Sequence, residues 1–312
     1  MLPPERIGRG YPLIYFDHQF ASGVTTTVRR VRARAPASSA NVGPGFDTLA
    51  LALALHVEVE VEPAPELRIR AEGEGAELPA DGTHLAAQVA RRVLGHDRVA
   101  IHVRSEIPVG RGLGSSAAVA VATAAAAGAT DPLVFGAEAD GHPENAAASV
   151  LGGLVTATTV DGRPVASRLP LDDGLAFVVV VPARQLATKR ARESLPALVP
   201  HGDAAFNLGR MGLLLAGLAD HRLLVQAATE DRLHQPARTP LFPEAPHLLA
   251  ALVDAGAVAA CWSGAGPSLL GICTAGSAAG VRLRAERLLA ESAVGGTALA
   301  LAADLAGLAI TG

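Results

Sequence analysis

Lysine is almost missing from this chain. Its 312 residues contain one lysine, Lys189, so that twenty-five of the 26 basic side chains are arginine. A P-loop NTPase needs a lysine directly after its glycine loop to meet the β- and γ-phosphates. Lys189 sits in ATKRAR with no glycine beside it, which excludes that class. Aromatics are scarce too, ten in all, so the core must be built from Ala, Val and Leu. There are two cysteines, Cys261 and Cys273, separated by eleven residues. They make neither a CxxC pair nor a four-ligand zinc set, and read as reduced apolar thiols of a cytosolic protein. No basic excess exists either. The balance of 26 basic and 30 acidic residues gives a net charge of −4, which argues against a nucleic-acid partner. Nor is there a convincing membrane span. The uncharged stretch 255–281 is long enough, but it holds six glycines and Pro267 and reads as strand, glycine loop, strand. The start, MLPPERIGRG, lacks the compact apolar core of a secretory signal, so a cytoplasmic location and no membrane partner are expected.

Half the residues are hydrophobic, enough for one large domain or two lobes. Residues 1–27 hold four of the ten aromatics but no clear periodicity and read as an N-terminal extension. Order is expected from Val28, where VRRVRARAP alternates basic and apolar residues in a strand ending at Pro36. Leu49–Val61 ends in HVEVEVE, a strand with Glu58, Glu60 and Glu62 on one solvated face. A helix is expected over 84–94, a strand over 98–104 and an alanine-rich helix over 115–127. Strands follow at 154–160 and 175–181. Helices are expected near 187–194, 203–219, 221–232 and 244–255, then strands at 257–262 and 268–273, a helix at 277–291 and a strand near 297–301. Alternating, partly polar strands favour α+β over a doubly wound parallel sheet. The acidic turn region 161–173 marks the boundary between lobes 28–167 and 168–312.

Three glycine-rich segments carry the chemistry. In Pro108-Val-Gly-Arg-Gly-Leu-Gly-Ser-Ser, a strand leads into a helix through Gly110, Gly112 and Gly114. Glycines let the backbone turn tightly and approach a ligand, and the helix start offers unpaired N–H groups to an anion. The spacing is GxGxG, not the GxGxxG of a dinucleotide fold. Residues 36–47, PASSANVGPGFD, pack Asn41 and Asp47 into a tight loop, and SGAGPS at 263–268 is either a hairpin loop or a second backbone clamp.

Together and in their chain order, PASSANVGPGFD, then PVGRGLGSSAA, then SGAGPS, these segments resemble the GHMP kinase superfamily. Residues 36–47, PASSANVGPGFD, and Gly141-His-Pro-Glu-Asn145 resemble its homoserine kinase family in particular. The resemblance covers residues 30–310 or so. It implies a two-lobed α+β fold, with an N-terminal lobe like domain 2 of ribosomal protein S5 and a ferredoxin-like C-terminal α/β sandwich. It implies ATP and Mg²⁺ as cofactors, L-homoserine as the acceptor in threonine biosynthesis, and a homodimer.

The resemblance also assigns roles by position. Pro108, Gly110, Arg111, Gly112, Leu113, Gly114, Ser115 and Ser116 match the nucleotide-phosphate loop. Ser116 (or Ser115) and Glu138 match the metal ligands, with Asp140 competing two residues on. Arg192 and Arg238 match the arginines that meet a substrate carboxylate, whose planar forks suit that group. Asp47 and Glu144 would face the amine, while Asn41, Asn145 and Gly264 would orient polar groups. Asn145, Thr188 and Ser116 fall at the reacting centre, and His142 reads as structural. No strong general base is expected, since phosphoryl transfer depends on positioning and charge neutralisation. Two departures stand out. The family's HPDN reads HPEN here, and only 21 residues separate Ser116 from Glu138. The alternatives are a GHMP kinase for another alcohol and a catalytically silent nucleotide-binding homologue.

Overall fold

The computed structural model describes residues 30–312. The expected extension over 1–27 and the strand start at Val28 lie outside the described residues. The first part of the chain runs β1 (Val31–Ala40), β2 (Leu49–Pro63), β3 (Arg68–Gly73), α1 (Leu85–Leu94) and β4 (Val99–Ser105). It continues through α2 (Ser115–Ala126), α3 (Pro132–Asp140), α4 (Glu144–Leu151), β5 (Leu154–Val160) and β6 (Arg163–Leu169). The second part runs β7 (Leu175–Pro182), α5 (Thr188–Glu193), α6 (His201–Ala219), α7 (Gln235–Arg238) and α8 (Ala245–Asp254). It ends with β8 (Ala259–Trp262), β9 (Leu269–Thr274), α9 (Ala278–Glu291), β10 (Gly296–Leu301) and β11 (Ala309–Thr311).

The strands form two sheets, as an α+β chain requires. One runs β11-β1-β2-β4-β3, with β5 and β6 extending it beside β2; the other runs β10-β7-β9-β8. Only β3–β4 pairs in parallel among the described strands. Strand alternation sends Val57, Val59 and Val61 of β2 inward against alanines and Val121 of α2. Their neighbours Glu58 and Glu60 lie on the other face opposite arginines of the adjoining strands, which cover Glu60 so that it is buried rather than solvated: Arg32 pairs with Glu60 at 3.0 Å and Arg104 with Glu58 at 2.9 Å. In β7 both faces are buried. Phe177, Val179 and Val181 join the core shared with the first sheet, whereas Val178 and Val180 pack under α8 and α9.

Helices α3, α4 and α7 and strand β11 were not expected from the sequence, and the reading differs from the fold in four further places. β1 continues past Pro36 to Ala40, because the pairing register with β2 shifts between Pro36 and Ala37. A bulge there absorbs the residue that cannot donate. β3 was not expected, since RIRAEG offers only Ile69 and Ala71 as apolar residues and gains its order from pairing with β4. The expected helix over 221–232 is two short 3₁₀ turns, His221–Leu223 and Gln226–Thr229. Leu224 folds back onto Gly217 of α6, where a Cβ would lie 2.6 Å from its backbone. Finally, the region 161–173 contains β6, paired along its length with β5, and the division at 167/168 falls inside that strand. We keep two lobes as a proposal, with their connection at 170–174.

Candidate active site

The three glycine-rich segments meet and lock to one another. Gly264 N donates to Ala40 O at 2.9 Å, Ser38 N to Leu113 O at 3.1 Å and Ser268 N to Arg111 O at 3.2 Å. Ser263 Oγ donates to Gly112 O at 2.7 Å, and Leu186 N to Gly110 O at 3.2 Å. Four consecutive carbonyls of the central loop, from Gly110 to Leu113, are thus held by protein. Among the described residues, the amides of Gly112, Leu113, Gly114, Ser115 and Ser116 donate to no protein acceptor. Gly110, Gly112 and Gly114 have φ of 68°, 74° and 65°, the left-handed region that favours glycine. A Cβ on Gly112 would lie 2.3 Å from Ser263 O, and one on Gly114 2.0 Å from Ser38 Oγ. The unused amides end at the N-terminus of α2, so dipole and free donors point to one use, the cradling of an anion.

That loop forms one wall of a cleft lined by every expected site residue except Glu138. Glu138 lies on the solvent side of α3, more than two-fifths exposed and ion-paired to Arg92. Two residues on, around 200° further about the helix, Asp140 lines the cleft and accepts from Asn145 Nδ2 at 3.1 Å. The geometry therefore gathers Asp140, not Glu138, with Ser115 and Ser116.

Across from the loop lies a polar pocket of mixed charge. α5 carries Thr188 and Arg192 one turn apart on the cleft side. Arg192 grips Asp47 with two bonds of 2.9 Å. Arg238, at the end of α7, is 3 % exposed. Its Nη1 donates to Gly264 O at 2.8 Å and to His234 Nδ1 at 2.9 Å, while its Nε is buried without a partner. No carboxylate of the described residues pairs with it. The guanidinium carbons of Arg192 and Arg238 each lie 5.6 Å from the centre of the Phe46 ring, and both side chains line the cleft. Burial pulls the Arg238 pKa down to about 10.

The acidic side is set by α4 and the turn before it. Glu144 is fully buried, with His142 Nδ1 2.6 Å from its Oε1. Burial opposes charge on His142, but Glu144, helped by Asp140 and Asp47, prevails and raises its pKa. Burial, reinforced by Glu144 and countered by His142, raises Asp140 to about 6. Asn145 accepts from Ser38 Oγ at 2.8 Å. Asn41 is spent on protein: Nδ2 donates to Gly264 O at 2.9 Å and Oδ1 accepts from Asp47 N at 3.0 Å. It thereby fixes the loop that presents Asp47, with both residues at positive φ. Arg111 is pinned to Pro182 O. A second, more apolar cleft shares Ser115 and Ser116 with the first and is walled by Leu78, Leu85, Val103, Val109 and Val119. Sequence reasoning did not anticipate it, because its residues are scattered apolar positions with no motif.

The N-terminal domain model of the GHMP kinases matches residues 83–153, and their C-terminal domain model matches 208–290. A homoserine kinase of Leifsonia xyli is 40% identical over 254 residues, covering 75% of this chain and 76% of that protein. The chain belongs to the GHMP kinase family. A homoserine kinase of Clavibacter michiganensis is 42% identical over 247 residues, covering 74% and 77% of the two chains. The crystal structure of homoserine kinase from Cytophaga hutchinsonii superposes on this GHMP kinase with a TM-score of 0.80. It is 26% identical, and the match covers 94% of this chain and 100% of that one. The anion loop and the mixed-charge pocket of this GHMP kinase therefore sit in a fold shared with phosphotransferases.

Proposed function

We propose that this GHMP kinase transfers the γ-phosphoryl group of ATP to the hydroxyl of L-homoserine, giving O-phospho-L-homoserine for threonine biosynthesis. The observation that carries the reading is Arg238, a buried cation without a carboxylate partner, set beside Arg192 and opposite Asp47 and Glu144. A zwitterionic amino acid answers both needs: its carboxylate meets the two arginines and its ammonium meets the acids. On binding, it exchanges partners with the Arg192–Asp47 pair, so no charge is left alone in the pocket. A neutral sugar or a simple alcohol would leave Arg238 unpaired.

The free amides from Gly112 to Ser116 take the phosphates, Arg111 and Pro108 shape the loop beside them, and the apolar cleft beyond Ser115 takes the nucleoside. Ser116 and Asp140 offer the oxygen donors that Mg²⁺ prefers, and Asp140 is already oriented by Asn145. Bound there, the cation supplies neutralisation of phosphate charge. Thr188 and Asn145 orient the acceptor hydroxyl. Catalysis is then alignment and electrostatic stabilisation by fixed donors, with no strong general base. We place the protein in the cytoplasm, where the buried free thiols of Cys261 and Cys273 stay reduced, and we read it as a homodimer, which light scattering tests. Among the described residues no helix is long and apolar enough to cross a membrane.

The function is tested by ADP release from Mg-ATP with homoserine, mevalonate, galactose or shikimate as acceptor. Homoserine should stand alone above the ATP-only control. Release no greater than that control would overturn the reading, and turnover of another alcohol in its place would redirect it.

A further inference from the structure

His234 is fully buried and bonds to two parts of the amino-acid pocket. Its Nδ1 faces Arg238 Nη1 at 2.9 Å and its Nε2 faces Gly43 O at 2.8 Å. Arginine has donors only and a carbonyl only accepts, so both ring nitrogens are assigned by chemistry. Nδ1 presents a lone pair to Arg238, and Nε2 carries the proton given to Gly43. The ring must be neutral, since an imidazolium would turn a second donor on Arg238. Burial favours that state and pulls the pKa to about 4, against the opposing charge of Asp231 at 3.7 Å. The ring also stacks on Phe46, centroids 5.2 Å apart, and Phe46 stands beside both arginines. Gly43 and Phe46 belong to the same loop as Asp47. That loop is seated tightly, because a Cβ on Gly43 would lie 2.7 Å from Thr229 O.

We propose that His234 is a positioning residue, a neutral bridge that holds Arg238 at a fixed distance from the Asn41–Asp47 loop. It thereby sets the span between the carboxylate and ammonium ends of the amino-acid site. A neutral acceptor is the right holder for Arg238. A carboxylate in its place would consume the positive charge that the ligand needs, and an apolar side chain would let the guanidinium move. The inference rests on the amino-acid reading of the pocket.

The test uses His234→Phe, which keeps the ring stack and volume but removes both hydrogen bonds. Two acceptors are compared: L-homoserine, and 3-aminopropan-1-ol, which has the amine and hydroxyl but no carboxylate. For homoserine, kcat/KM should fall about 10- to 100-fold, carried by KM, the range of a lost bond to a charged group. Turnover of the amino alcohol should fall clearly less than that of homoserine, and the KM for Mg-ATP should change less than about twofold, the scatter expected of a distant substitution. His234→Gln, which retains an acceptor and a donor, should recover part of the loss. An equal fall for both acceptors would mark a merely structural residue and overturn the inference. Independently of turnover, ¹⁵N NMR of the ligand-free wild-type imidazole should find the proton on Nε2; a proton on Nδ1 would overturn it. Failure of the wild-type enzyme to use homoserine would instead remove the functional reading, and the NMR result would still decide the bridge.

Discussion

Arg238→Met should separate stability from function. In the ligand-free protein the guanidinium is buried, and among the described residues it is hydrogen-bonded to Gly264 O and His234 Nδ1, with Asp47 and Asp231 attracting it without pairing. Burial lowers its pKa from the ordinary arginine range to about 10. At 1.36 kcal/mol for each tenfold change, charge burial costs the empty fold about 3 kcal/mol. The sign follows from proton counts. Between pH 10 and the ordinary arginine pKa the unfolded chain binds more protons than the folded one, so stability rises with pH there, and at neutral pH the whole cost is present. Methionine removes that cost and keeps much of the packing. It forfeits the bond to His234 Nδ1, worth about 1–2 kcal/mol, while Gly264 O keeps its bond from Asn41. The balance lies between zero and about 2 kcal/mol in favour of the variant. Thermal melts without ligand should therefore show a Tm equal to or above wild type. Homoserine kcat/KM should fall by about 10² to 10³, the effect of removing one partner from a buried ion pair. Mg-ATP affinity should hold. A variant that melts far below wild type, or one that still uses homoserine well, would refute the reasoning.

Three further outcomes follow. Asp140→Asn should raise the Mg²⁺ concentration needed for half-maximal activity several-fold, whereas Glu138→Gln should leave it unchanged, because Glu138 is turned away from the cleft and pairs with Arg92; a magnesium titration distinguishes them. Gly112→Ala drives a methyl to 2.3 Å from the main-chain oxygen of Ser263, which cannot swing aside; activity at saturating ATP should drop at least about 100-fold, the scale of losing one preorganised oxyanion donor. The third concerns pH. With the His234 pKa lowered from 6.5 to about 4, the unfolded chain binds more protons across that window, so stability is lost as pH falls from 6.5 to 4, by about 3 kcal/mol at the lower end. Denaturant melts across that range should show a shallower decline for His234→Phe than for wild type.

The parts of the site legible in the sequence were those whose backbone chemistry is unusual. Gly110, Gly112 and Gly114 announce positive φ and close approach, and Arg192 and Arg238 stood out by motif position alone among twenty-five arginines. What could not be read was orientation. Glu138 and Asp140 are two residues apart, and nothing in the local string says which side of α3 faces inward; the packing of Gly136 against Val121 and Ala146 decides it. Asn41 looked like a ligand group, yet both ends of its amide hold protein, a fact that depends on Gly264, 223 residues away. The fold shows the same division. β2 was plain from its valine and glutamate alternation, whereas β3 exists because β4 lies beside it.

The anchoring of the loop carbonyls has a further consequence. A peptide flip that turned an oxygen toward the cleft would have to break a bond to Leu186, Ser268, Ser263 or Ser38. The polarity of that wall is thus built in before any guest arrives. The enzyme need not reorganise these dipoles during a turnover cycle.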